Sequence, residues 1–440
     1  MRWPLRWKPD ADARDWLFLG LTVLIVILVL GWTSRRGGDI QWNYLAGLLI
    51  VIVIYAIFAL GLSLEFGHTG LLNFGHVAFM LIGAYTDGIL MMRPADRPAG
   101  APGIVGSLFD AASGFEGASA GGFVVCALAA LLAGILVSIP LLLLARRLRL
   151  APRVGMAGAL GISALVAVGV LIALFPLSER GGIGAATMIA MLLGIVLAAL
   201  AGLLLGLPTV RLRADYLAIV TIAAAEILRS VVLNEQEWTR GTRNIVNYPR
   251  PLVDAAVSSD AWAQVSRALE VRPASLAILV ASLVTLALVV ILLEALARSP
   301  WGRVLRAIRE DEEAAASLGK PVLWSKLQSL MMGSAIAAAA GILLVTYLAN
   351  IAPQHFLPLI TFYAFIIVVL GGVGNHRGAI AGSFILWGIF SLSQNLPALA
   401  RFGLTAGPPQ AIFVGASLIL LMMFRPQGIL GRKEELIHVK

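Results

Sequence analysis

Residues 298–326 read RSPWGRVLRAIREDEEAAASLGKPVLWSK, one long, heavily charged stretch between two apolar runs that are each long enough to cross a bilayer. It holds 6 of the 33 Lys and Arg residues and 4 of the 24 acidic ones. The residue order marks both ends of a short helix. Ser299 suits the cap, Pro300 the first helical position and Gly319 the position just past the end, and Pro321 blocks continuation. Trp301, Val304, Leu305, Ile308, Ala315 and Leu318 recur at helical spacing, while Arg303, Arg306, Arg309, Asp311 and Glu312 fill the other faces. The spacing predicts an amphipathic helix over 300–318. Held between two spans, such a helix is a docking element; a solvated, salt-bridged connection has the same pattern.

Working outward, hydrophobic residues make up 59% of the chain and charged residues 13%, and mean hydropathy is +0.91. These values exclude an ordinary soluble domain and predict an all-α polytopic integral membrane protein. The net charge of +9 comes from basic residues in short loops between apolar runs. That distribution points to membrane topology and an anionic leaflet, not to nucleic acid. Cys126 is the only cysteine, which excludes an intrachain disulfide and a cysteine-based metal site.

Runs of spanning length occur near 16–32, 44–64, 72–92, 121–145, 154–176, 186–207, 215–233, 274–296, 327–349, 358–374, 379–397 and 408–424. About twelve spans follow, of which 72–92 and 215–233 are the ones that re-entrant segments would replace. The first run follows a basic segment but lacks a small-residue cleavage site, so it reads as an uncleaved span. With the N-terminus inside, cytoplasmic segments collect 21 Lys and Arg against 11 outside, which favours cytoplasmic termini at both ends. Residues 1–15 and 431–440 then form cytoplasmic tails, 16–430 the transmembrane domain, 234–273 an outside loop and 297–326 an inside one.

Two membrane stretches look interrupted: Gly67-His68-Thr69-Gly70-Leu71-Leu72-Asn73-Phe74-Gly75-His76, and Gly371 through Gly382. Glycines and small polar residues at bilayer depth free backbone groups, which is tolerated only against protein or a water-filled path. Paired interruptions point to a transport pathway, although tight helix packing through small residues gives the same composition. Candidate pathway residues are Gly67, His68, Thr69, Gly70, Asn73, Gly75 and His76, with Tyr85, Tyr216, Thr221 and Glu226 on neighbouring runs. In the second stretch, Arg377 favours a cytoplasmic turn. Of the ionisable residues inside spans, Glu226 and Arg229 are spaced to pair on one helix, and Glu65, Asp87 and Glu294 lie near predicted ends where they can reach the interface. No chain of acidic or His groups suited to proton coupling is evident.

Enzymatic classes find no foothold. The chain has five lysines; only Lys320 follows a glycine, and Pro321 then stands where a phosphate-binding loop needs a hydroxyl. No nucleophile triad, zinc-ligand set or carboxylate pair rises above chance. Energy for active transport would have to come from a partner docked on the central charged helix.

Four stretches together resemble LivM-type permeases, membrane subunits of ABC importers for branched-chain amino acids. They are LGLSLEFGHTGLLNFGHVAFMLIGAYT (60–86), RLRADYLAIVTIAAAEILR (211–229), SPWGRVLRAIREDEEAAASLGKP (299–321) and VVLGGVGNHRGAIAGSFIL (368–386). The ending Phe424-Arg425-Pro426-Gln427-Gly428-Ile429-Leu430 is similar too. The resemblance implies that 297–326 is the coupling segment seated on an ATPase subunit, with contact roles for Arg306, Arg309, Glu310, Asp311, Glu312 and Gly319. It implies a LivH-type second permease, two ATP-binding cassette subunits and a periplasmic substrate-binding protein, in a bacterial inner membrane. ATP and Mg would be used by those subunits, with no cofactor bound by this chain. Loop 234–273, with Arg240, Arg243 and Asn244, would receive the binding protein. Where the family commonly has Gly before Tyr-Leu-Ala-Ile this chain has Asp215, and its outside loop is more basic, so urea, amides or aromatic acids stand beside leucine-like solutes. An ion-coupled twelve-span carrier is the alternative with the same gross topology.

Overall fold

A computed structural model of the chain describes residues 42–91, 185–212, 214–246, 250–258 and 260–395, with isolated positions elsewhere. A small strand pair, β1 (Arg35–Arg36) and β2 (Asp39–Ile40), precedes α1 (Trp42–Leu62), which continues as a π-helix (Ser63–His68). Next come α2 (Val77–Leu90), α3 (Ala185–Thr209) and α4 (Ala214–Asn234). The segment after α4 folds into α5 (Gln236–Thr239), a 3-10 turn (Gly241–Arg243), β3 (Ile245–Val246), α6 (Pro251–Ser258) and α7 (Asp260–Leu269). Then follow α8 (Pro273–Arg298), α9 (Pro300–Glu310), α10 (Glu312–Ser317) and α11 (Val322–Leu348). After β4 (Asn350–Ile351) and a 3-10 turn (Pro353–Phe356), α12 (Leu359–Gly371) and α13 (His376–Asn395) complete the described bundle.

The centre is α11, packed by α1, α2 and α3. Its middle, Gly333 to Gly341, is almost entirely Ala, Gly and Ser, and helices with such small side chains associate closely once no water is left to expel. The approach is tight enough that a Cβ on Gly341 would lie 2.1 Å from Met80 O, and one on Gly83 2.6 Å from Ala338 O. The ends of α11 carry different attachments. At its start, the buried Trp301 indole of α9 donates to Gln328 Oε1 at 2.9 Å. At its far end β3 pairs antiparallel with β4, Ile245 opposite Ile351, and Arg250 donates to Thr346 O at 3.1 Å. The amphipathic segment and loop 234–273 therefore occupy opposite ends of the bundle, about 40 Å apart along a 27-residue helix.

Among the described residues five helices are long and apolar enough to cross a membrane, or six if one bent pair counts as a single span. The all-α, multi-pass membrane class holds. Three of the expected runs differ from simple straight crossings. The run at 72–92 becomes α2, whose 14 residues extend only about 21 Å, short of the bilayer core. The runs at 358–374 and 379–397 become α12 and α13, which meet at 117°; α12 alone reaches about 20 Å. Apolar composition is the same whether a chain crosses or turns back, so run length misses the bend. The expected spans at 16–32, 121–145, 154–176 and 408–424, and the tails 1–15 and 431–440, lie outside the described residues apart from isolated positions.

The predicted helix 300–318 is two helices. Asp311 takes extended backbone angles, φ −154° and ψ 109°, and its carboxylate accepts from Ala314 N at 2.9 Å. A capping Asp followed by Glu312 and Glu313 makes a helix start favourable at the point where the first helix ends. The outer signals act as read: Ser299 Oγ accepts from Gly302 N, and Gly319 has φ +72°. Trp301, Leu305, Ile308 and Ala315 are buried, but Leu318, placed on the apolar stripe by its spacing, is 78% exposed because the break resets the helical phase.

Candidate functional site

The first interruption is a π-helical turn followed by an irregular loop. Glu65 is fully buried at its centre. One carboxylate oxygen accepts from Asn73 Nδ2 at 2.8 Å, and the other lies 3.3 Å from His76 Nδ1, within ion-pair distance though without an aligned hydrogen bond. His76 Nε2 sits 3.3 Å from Phe58 O, and Asn73 Oδ1 accepts from Gly75 N at 3.0 Å. Gly333 of α11 supplies the room: a Cβ there would fall 2.1 Å from Glu65 Oε1.

Side chains also close the freed backbone groups of this loop, as buried polar atoms require. Ser329 Oγ donates to Leu64 O at 3.3 Å and accepts from Thr69 at 2.7 Å, Phe74 N donates to Thr221 Oγ1 at 3.1 Å, and Val77 N donates to Thr361 Oγ1 at 3.1 Å. Gly75 presses so close to α4 that a Cβ would meet Thr221 O at 2.1 Å.

The second interruption lies directly against the first. A Cβ on Gly67 would lie 2.8 Å from Gly374 N, and the His68 and His376 rings stack with centroids 4.6 Å apart. Arg309 reaches this contact from α9 and donates to Gly67 O. Arg377, read as marking a cytoplasmic turn, is buried and pairs with Glu294 Oε1 at 3.0 Å, while Glu294 Oε2 accepts from Arg298 at 2.8 Å. Leu430 N donates to Gly371 O, and Asn375 Nδ2 donates to Leu430 O, so the chain's last described residue closes over the turn.

Of the pathway candidates, the structure gathers Gly67, His68, Thr69, Gly70, Asn73, Gly75, His76 and Thr221 into this crossing. It does not gather the other three. Tyr85 is buried further along α2 against Phe356, and Tyr216 is 61% exposed. Glu226 chelates its own neighbour Arg229 one turn on, the pairing expected from their spacing, on a sparsely covered face of α4. Glu65 and Asp87, expected to reach the interface, are instead buried. Glu65 was therefore missed as a site residue; a lone carboxylate inside an apolar run was the available signal. Ser329, Gly333, Thr361 and Gly374 carried no such mark.

Among the coupling candidates, Arg306, Glu310, Asp311, Glu312 and Gly319 are exposed, Arg306 donates to Ala297 O, and Glu312 pairs with Lys326. Arg309 departs from this group by turning inward. Beside them, Val210, Arg211, Leu212, Glu312, Val322 and Leu323 line an open groove of about 430 Å³. At the other end of the bundle, Arg243 is exposed, and Arg240 and Asn244 adopt left-handed backbone at φ +62° and +55° and are half-buried. Among the described residues no three His, Cys, Asp or Glu side chains converge as a metal site.

The family described as "Branched-chain amino acid transport system / permease component" matches residues 44–156 and 133–423. The chain belongs to that family. This permease-family chain is 32% identical over 255 residues to the high-affinity branched-chain amino acid transport system permease protein LivM of Escherichia coli, covering 56% of this chain and 57% of the relative. LivM of Salmonella typhimurium is 32% identical over 273 residues, covering 60% and 61%. LivH of Escherichia coli is 34% identical over 136 residues, covering 31% and 41%. The chain thus spans about 57–61% of the length of the LivM proteins it matches. No solved structure matches it significantly.

Proposed function

We propose that this chain is the membrane permease subunit of an ABC importer in a bacterial inner membrane. It would take up branched-chain amino acids or similar small amphipathic solutes, urea, amides and aromatic acids included. A periplasmic binding protein delivers the solute at the end carrying loop 234–273. Two ATPase subunits, which use ATP and Mg, bear on α9 and α10, and a LivH-type permease completes the membrane part. The observation that carries the reading is the short, charged, outward-facing helix pair α9–α10 standing against the crossing of two interrupted membrane segments, in a chain of this family. Likeness to proteins named LivM and LivH supports the substrate class and the paired permease.

Mechanistically, closure of the ATPase subunits displaces α9, and the displacement opens or closes the path beside the crossing. The buried polar contacts of Glu65, Asn73 and His76 keep the interruption shaped while α11 stays fixed. Co-reconstitution with the three partner subunits and the binding protein in proteoliposomes tests this. The expected result is uptake of labelled leucine that needs both ATP and the binding protein. Uptake by the lone chain driven by an ion gradient overturns it in favour of a secondary carrier.

A further inference from the structure

Arg309 sits where three separate parts of the chain meet. Its guanidinium donates to Gly67 O at the end of the π-helix. Its stem covers Gly70, where a Cβ would lie 3.3 Å from Arg309 Cγ. Its Nη1 covers Gly374, where a Cβ would come within 3.0 Å. Gly70 and Gly374 have φ of +77° and +82°, backbone that favours glycine, so the cradle around this side chain is built from main chain on both interrupted segments. Helix α9 is held at its first turn by the buried Trp301 contact to α11 and at its last turn by Arg309. Between these two attachments Arg303 and Arg306 are exposed, and so is Glu310 just beyond the second.

We propose that Arg309 is a positioning residue that pins α9 to both interrupted segments at once, instead of a side chain that contacts the ATPase. A partner pushing the exposed face of α9 then moves the Gly67–Gly374 contact through the guanidinium, and partner recognition falls to the exposed residues of α9 and α10. Arginine suits the role because a rigid fork of donors engages a carbonyl while its stem packs, whereas lysine offers a single mobile charge. The proposal rests on reading α9 as the ATPase contact.

The test uses the full complex in proteoliposomes with Arg309→Ala, Arg309→Lys and, as a control on the exposed face, Arg303→Ala. Arg309→Ala is expected to co-purify the ATPase in wild-type amount yet lose uptake by about tenfold and lose acceleration of hydrolysis by substrate. Arg309→Lys is expected to recover to within about threefold of wild type, because one donor to Gly67 O survives. Loss of ATPase co-purification in Arg309→Ala, or full uptake, overturns the pin. Hydrogen exchange on the same variants provides an arm independent of transport. Amides 67–71 and 372–375 are expected to exchange faster in Arg309→Ala and unchanged in Arg303→Ala. If wild type shows no ATP-dependent uptake, the importer reading fails and the exchange arm alone decides the pin: unchanged exchange in Arg309→Ala sinks it.

Discussion

The two interruptions touch at Gly67 and Gly374, yet side chains and main chain hold them in different proportion. The first is maintained by side chains: Glu65, Asn73, His76, Thr69, Ser329, Thr221 and Thr361 close its polar groups with contacts of 2.7 to 3.3 Å. The second depends mainly on main-chain packing, with Asn375 and the Arg377–Glu294 pair closing its turn. A Cβ on Gly371 would lie 2.0 Å from Gly378 O, and one on Gly382 2.2 Å from Ile367 O, so α12 and α13 meet backbone on backbone around their 117° bend. Membrane interiors leave these two ways to satisfy a broken helix, polar side chains or direct main-chain packing. A site built in the first way can change its contacts one at a time. A site built in the second can only move as a block.

That contrast sets the order of expected damage. Gly371→Ala has no local escape, since the clashing atom is a main-chain carbonyl, and is expected to remove about 4 kcal/mol or more of stability. Folded protein recovered by size exclusion from membranes should fall to background; near-normal recovery would erase the distinction between the two interruptions. Glu65→Ala leaves Asn73 and His76 without their partner in a dry core and should cost about 3 kcal/mol, while Glu65→Gln keeps the shape and should cost about 1 to 2. Apparent melting temperatures in nanodiscs separate the pair, and equal losses for Ala and Gln would mean that volume, not the polar network, is what matters. Glu294→Gln is expected to be mildest, about 1 kcal/mol, because the amide keeps an oxygen that can accept from the buried Arg377 and the Glu294 side chain is itself 23% exposed. A larger loss there would show that the second interruption also depends on charge.

The amphipathic segment was legible because its caps act locally. Ser299, Pro300 and Gly319 each work through backbone geometry within a few residues, and all three stand where spacing placed them. Asp311 was harder, since aspartate on a helix face and aspartate capping a new helix look the same in a string. Arg309 was harder still. Arg303, Arg306 and Arg309 share a polar arc, and only the neighbour that covers one of them decides which points inward. The crossing itself was half visible: the glycines and small polar residues flagged both regions, but nothing in the spacing said that they touch or that Glu65 lies at their centre.

What sequence alone determined here is the medium and the local pieces. Apolar composition commits the chain to a bilayer, where backbone hydrogen bonds must close internally and helices follow of necessity. Caps and helix breakers then set where most of those helices begin and end. Tertiary packing decided the rest: that α12 and α13 bend sharply at their join, that Glu65 is enclosed, and that Arg309 bridges two segments more than sixty residues away on either side. Those outcomes depend on which surfaces meet, and in a membrane that is governed by fit and polar pairing between distant residues, since lipid is as apolar as the helices themselves and no local preference selects the partner.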